Sequence, residues 1–162
     1  MGTRSMIAIQ VMDSTRIKSI YCHWDGYLQH NGSILNKHYQ ASPKVNQLIA
    51  GGDLSSLRPE IGVQHAFSTI GMTKEEQEAH EALHADSCTY YTRDRGEDAP
   101  FKSFNNIKEA LAYYDGSWCE YFYLFKYNAQ GEPRGWFYRT REDGRWKSVK
   151  TAMKKFKPEE VA

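Results

Sequence analysis

The run Cys119–Tyr127, CEYFYLFKY, constrains the chain more than any other stretch. Successive side chains on a strand point to opposite faces. Tyr121, Tyr123 and Phe125 therefore share one face, and Phe122 and Leu124 share the other. Both faces are apolar, so the strand belongs in the interior of a sheet, covered at least in part on both sides.

Neighbours for such a strand are easy to find. Met6–Met12 is apolar and rich in β-branched residues, Asp13-Ser14-Thr15 is a turn signal, and Arg16–His23 alternates, so these runs form a hairpin. After the central strand, Gln130-Gly131 turns into Arg134–Thr140, and Asp143-Gly144 turns again into Arg145–Ala152. That is a C-terminal β-meander. Ser87–Arg93 (SCTYYTR) reads as a further strand.

Helical signals lie between. Leu28–Tyr39 has helical spacing, with Asn31-Gly32 marking a broken or late start. Ser42-Pro43 opens a helix carrying Val45, Leu48 and Ile49 and ending at Gly51-Gly52. Thr73 and Glu76 form a capping box. Ser103 opens a helix with Phe104, Ile107, Leu111 and Tyr114. The sum is an α+β fold: a mostly antiparallel sheet of five or six strands with helices packed on one face.

A chain of 162 residues suits one domain. We place it at residues 6–157, with 1–5 as a tag scar or disordered tail and 158–162 as a frayed C-terminus. No apolar run approaches the ~20 residues of a membrane span, and no secretory signal is visible. Cys22, Cys88 and Cys119 are odd in number and widely spaced, which fits reduced thiols in a cytoplasm. The net charge of +1 singles out no class of partner.

The segment Ile20–Tyr27, IYCHWDGY, leaves a strand and turns toward a helix, where binding groups collect. Trp24 and Tyr27 offer flat contact area. Asp25 can cap the next turn or pair with an arginine. The bland alternative is that the rings fasten the helix to the sheet. Read together, IYCHWDGY, NGSILNKHY, KVNQLIAGGDLSSL and YYTRDRGE resemble a family of small uncharacterised proteins encoded mainly by bacteriophages and prophages. The resemblance runs from Met6 to Glu97 and fits the C-terminal strands more loosely. It implies a phage origin, action in the cytoplasm of a bacterial host, and a gene of the accessory, host-interacting type. It implies no particular activity.

In Arg93-Asp94-Arg95-Gly96-Glu97, two arginines flank a carboxylate. They can grip a phosphate or carboxylate, or build an internal ion-pair network with Asp25. Either arrangement places this segment near IYCHWDGY. Further on, Arg134–Lys157 holds nine Lys or Arg against two acids. Arg134, Arg139, Arg145, Lys147 and Lys150, interleaved with Trp136 and Trp146, suit single-stranded nucleic acid or an acidic protein. The alternative is a solvated outer face with the rings turned inward.

His80–His84, HEALH, matches the H-E-x-x-H pattern of zinc peptidases, with His65 as the nearest third ligand. Its helix has a thin apolar stripe centred on Leu83, as on a surface helix. We read the match as chance, although His80 and His84 suit an adventitious nickel or zinc ion. No nucleophile elbow, P-loop or dinucleotide fingerprint is present. The expectation is a binding protein with no catalytic residues, metal or cofactor, acting on a host protein through Trp24, Asp25, Tyr27, Arg93, Asp94, Arg95 and Glu97. Nucleic acid at the basic meander is the first alternative. A nucleotide or small-ligand binder, or a hydrolase, around Asp25, Arg93 and Arg95 is the second.

Overall fold

In the computed structural model, which describes residues 2–162, the chain opens with β1 (Ser5–Gln10) and returns as β2 (Ile17–Cys22). The two pair antiparallel, with Ile7 opposite Ile20. A π-helical turn over Leu28–Gly32 leads into α1 (Ser33–His38), the late start that Asn31-Gly32 announces. Next come α2 (Ser42–Ala50), β3 (Leu54–Ser56), α3 (Lys74–His84), β4 (Thr89–Tyr90), α4 (Tyr91–Arg95), β5 (Lys102–Phe104) and α5 (Ile107–Asp115). The chain finishes with β6 (Tyr121–Tyr127), β7 (Pro133–Thr140), β8 (Lys147–Ser148) and α6 (Val149–Met153).

The strands form one sheet in the order β4-β3-β2-β1-β6-β7-β8, with β5 pairing the first half of β2 and β3 its last residue. Five pairings are antiparallel; β1–β6 and β2–β3 are parallel. The fold is α+β, with eight strands rather than five or six. The additional ones, β3 and β5, have only three residues each, too short to leave a periodic trace.

β6 lies between β1 and β7, and both its faces are covered, as its two-sided apolar pattern requires. Ile7, Ile9, Ile20, Tyr123, Phe125 and Trp136 pack with residues of α1, α2 and α6. On the other face Met6, Ala8, Phe122 and Leu124 pack with Ala110 and Tyr114 of α5. Helices thus lie on both faces, with α5 alone on the second.

Several boundaries differ from expectation for identifiable reasons. Ala41, not Ser42, is the N-cap of α2, with Pro43 in its first turn. Ser103 does not open a helix, because residues 102–104 pair with β2. Asn106 caps α5 instead, accepting from the Glu109 N–H at 3.0 Å. The strand expected over 87–93 stops at Tyr90: the Asp94 carboxylate accepts the Tyr90 N–H at 2.7 Å and starts α4. The last run of the meander is strand only at Lys147–Ser148, where Ser148 caps α6. The Thr73–Glu76 capping box forms as expected.

Neither end is loose. Met1 lies outside the described residues. Thr3 accepts the Gly26 N–H through its carbonyl at 2.7 Å, Arg4 accepts that of Glu120, and Ser5 is already strand. The tail assigned to residues 1–5 is therefore, from residue 2, part of the sheet's packing. At the other end Ala162 donates to the Gln29 carbonyl, and its own carbonyl accepts from Ser33 Oγ and Lys37 Nζ, both at 2.7 Å. Residues 158–162 dock onto α1 rather than fray.

Candidate functional site

IYCHWDGY runs out of β2 and continues along β3, where the His23 N–H donates to the Leu54 carbonyl and the Trp24 N–H to that of Ser55. The chain then reverses at Asp25, whose φ of 56° is left-handed. Gly26 follows and is buried; a Cβ there would lie 2.8 Å from both the Ser5 Cβ and the Thr3 carbonyl. The turn leaves Trp24 45% exposed and Tyr27 at the surface. Asp25 faces His30 at 4.0 Å.

The arginines of RDRGE do not meet Asp25. Arg93 is consumed inside α4 and the adjoining loop. It donates to both carboxylate oxygens of Asp94 and to the carbonyls of Ile61, Gly62 and Cys88. The Asp94 side chain is fully buried. Arg95 pairs with Glu97 at 3.5 Å and lies over the Phe67 ring. Each arginine of the expected anion grip is thus paired inside its own segment, Arg93 with Asp94 and Arg95 with Glu97, which is the internal ion-pair alternative without Asp25. The two segments do lie close together, on opposite sides of β3. Asp53 joins them. Its Oδ1 accepts the Tyr21 N–H at 2.9 Å, and its carbonyl accepts that of Tyr91.

The basic meander also differs from its sequence expectation. Trp136 is 4% exposed, and its indole N–H donates to the Tyr39 carbonyl. Trp146 lies edge-on against Phe122, between Lys126 and Arg139. Arg145 and Lys147 share Asp143, whose carboxyl they hold well below its ordinary range. Arg134 lies over Phe137 and Lys150 is exposed on α6. The rings that were to stack bases turn inward, while the cations remain outside. In HEALH, α3 buries no residue and Leu83 is 75% exposed, as on a surface helix. Yet the fold brings His65 against His80 and His84.

A further recess opens elsewhere, on the α5 side of the sheet. It encloses about 490 Å³ and is lined by Arg4, Tyr21, Asp53, Lys102, Tyr113 and Trp118, among others. α5 carries its apolar stripe at Ile107, Ala110, Leu111 and Tyr114, which packs inward. Tyr113 falls off that stripe and faces out, half exposed. Beyond the helix end, Trp118 is 83% exposed. Arg141 closes the helix end by donating to the carbonyls of Tyr114, Asp115, Ser117 and Cys119. That clamp fixes the turn presenting Trp118.

The electrostatics of the recess are uneven. Among the described residues, neither Arg4 nor Lys102 has a carboxylate within 4.0 Å. Lys102 lies over the Tyr113 ring. Burial pushes the Asp53 carboxyl above its ordinary value, with the Tyr21 N–H and the Lys102 charge pulling it back. Burial likewise pushes Tyr21 up to about 12 despite Arg4. From Tyr21 a ring chain continues outward: its hydroxyl meets His23 Nδ1 at 2.6 Å, and His23 lies edge-on to Trp24 at 4.6 Å. Recess and Trp24 therefore form one aromatic and cationic band.

Sequence reasoning singled out Trp24 as a contact residue of its turn and did not single out Arg4, Asp53, Lys102, Tyr113 or Trp118. Two signals pointed to the rings: Tyr113 is off the helical stripe, and Trp118 follows Gly116-Ser117 with no apolar partner in register. Arg4 was hidden by the reading of residues 1–5 as a tail. No family model, curated protein or solved structure matches this chain.

Proposed function

We propose that the chain is a binding protein that holds an acidic segment of a partner protein at the Trp118 recess. The observation that carries this reading is Trp118, 83% exposed in a recess with Arg4 and Lys102, two cations with no carboxylate within 4.0 Å among the described residues and Asp53 as the one acid in the lining. An indole held open to water by a clamped helix end contributes little to folding. Trp, Tyr and Arg are the residues that dominate interface energetics, through large contact area and directed hydrogen bonds. The unpaired cations favour a partner bearing carboxylates. With the resemblance to bacteriophage and prophage proteins, the partner is a host protein and the place is the bacterial cytoplasm. No helix among the described residues is long and apolar enough to cross a membrane.

The test is capture from nuclease-treated bacterial lysate with wild-type protein, Trp118→Ala and Arg4→Ala. One host protein retained by wild type and lost from both variants supports the reading; equal retention by all three overturns it.

A second reading rests on the size of the recess. A volume of about 490 Å³ suits a small molecule, and flat rings with two cations suit a nucleotide-like anion. It relocates the small-ligand alternative from Asp25, Arg93 and Arg95 to Arg4, Lys102 and Trp118. A thermal-shift screen with nucleotides separates the two, because a ligand that binds only the folded chain raises its melting temperature.

A further inference from the structure

Outside that recess, the most chemically distinctive cluster is the set of three histidines between α3 and the loop before it. His80 and His84 lie one turn apart with ring centroids at 4.8 Å. The His65 ring is 4.5 Å from His84 and 5.6 Å from His80. All three line one hollow of about 420 Å³, together with Glu81 and Thr89.

We propose that His65, His80 and His84 are the protein ligands of a divalent first-row metal ion, with zinc the best fit. Three imidazoles on one zinc ion at Zn–N distances of about 2.0–2.1 Å and tetrahedral angles set their ring centroids about 5 Å apart. The observed spacings bracket that value.

The nitrogens are prepared in two of the three rings. His65 Nδ1 donates to the Val63 carbonyl at 2.8 Å, so its Nε2 carries the lone pair. That Nε2 faces the Thr89 hydroxyl at 3.2 Å, and the Asp94 carboxylate lies 3.8 Å behind Nδ1. A carbonyl or carboxylate behind the non-ligating nitrogen is the usual support of a metal-bound histidine. His80 Nε2 is buried and has no hydrogen-bond partner among the described residues. A buried nitrogen without a partner is costly, and a metal would satisfy it.

As they stand, the rings do not converge. His65 and His84 are nearly parallel, 16° apart, and among the described residues no three His, Cys, Asp or Glu side chains meet in a metal-holding arrangement. Binding therefore requires rings to turn about their side-chain bonds without their centroids travelling far. α3 permits this. It buries no residue, so little packing resists a small adjustment, and the metal would add the anchorage that its apolar stripe lacks. Glu81 lines the same hollow.

The experiment uses tag-free full-length protein, stripped with chelator, dialysed and titrated with zinc chloride by calorimetry. One zinc per chain is expected, with affinity falling about tenfold or more in each of His65→Ala, His80→Ala and His84→Ala. Retention of full affinity by His65→Ala would overturn the proposal, leaving only an exposed two-histidine pair on a helix. A second measurement covers variants that fail to fold. The visible spectrum of the cobalt-loaded wild type should show the intense bands of a four-coordinate ion, and weak six-coordinate bands would equally overturn the site.

Discussion

The Tyr123 hydroxyl donates to the Gly26 carbonyl across 2.7 Å, tying the central strand β6 to the turn that carries Trp24, Asp25 and Tyr27. Tyr123 is fully buried, and burial raises its pKa so far that the phenol stays protonated and remains a donor. Tyr123→Phe keeps the ring and removes the donor, leaving a buried carbonyl unpaired. The expected loss is about 1.5 kcal/mol of unfolding free energy in a urea titration. Gly26→Ala should cost more, because its Cβ would press on Ser5 and Thr3. If Tyr123→Phe proved neutral, the turn would not depend on β6.

Asp94 gives stability a defined acid limb. Burial pushes its carboxyl up, but the Arg93 guanidinium and the N–H groups of Tyr90 and His65 outweigh that and hold it below the ordinary value. A folded-state pKa below the unfolded one means that its contribution is present above the unfolded pKa of about 4 and is lost as pH falls through the folded one. Asp94→Asn should lower stability at neutral pH by about 3 kcal/mol, since it leaves the Arg93 charge in a partly buried site. It should also flatten the fall in stability below about pH 4. Unfolding curves across the acid range check both, and an unchanged acid limb would remove Asp94 from the account.

Arg141 separates stability from display of the binding ring. Its guanidinium gathers four carbonyls at the end of α5 and the following turn. Arg141→Lys keeps the charge but not the planar fork, so it should still cost about 1–2 kcal/mol. Trp118→Ala, by contrast, removes an exposed ring and should change stability by less than about 0.5 kcal/mol. A melting temperature that falls as far in Trp118→Ala as in Arg141→Lys would mean the indole is structural.

What could be seen in the sequence follows from the length of each signal. CEYFYLFKY spans a whole strand, so two-sided burial of β6 is legible and the sheet can be built around it. Three-residue strands such as β3 and β5 carry no period, and β4 and β8 keep only two residues of the longer strands read in their runs. Their ends are decided by side chains several residues on, such as Asp94 accepting the Tyr90 N–H. Trp136 shows the limit of charge patterning: Arg134 and Arg139 mark β7 as solvent-facing, yet the indole turns into the core against Phe125, while the register shift at Gly135 leaves Arg134 over Phe137. The recess is assembled from residues 4, 21, 53, 102, 113 and 118, which meet only once the sheet order is known.

Asp53 is where stability and binding pull in opposite directions. Its pKa is raised, foremost by burial, so the folded state favours the protonated form. Its contribution is therefore most favourable below the unfolded pKa and declines as pH rises through the folded one; at neutral pH the ionised carboxylate is a net cost. Asp53→Asn keeps an oxygen to accept the Tyr21 N–H and removes the charge. It should leave the protein as stable as wild type or more so, by up to about 1 kcal/mol at pH 7. It also removes the negative charge beside Arg4 and Lys102, so an acidic partner captured by wild type should be held more tightly, with slower dissociation. Tighter binding without loss of stability would place the recess, rather than the fold, as the reason for the cations. A marked loss of stability would instead show that the Asp53 charge is needed by Lys102, and that this side of the recess is structural.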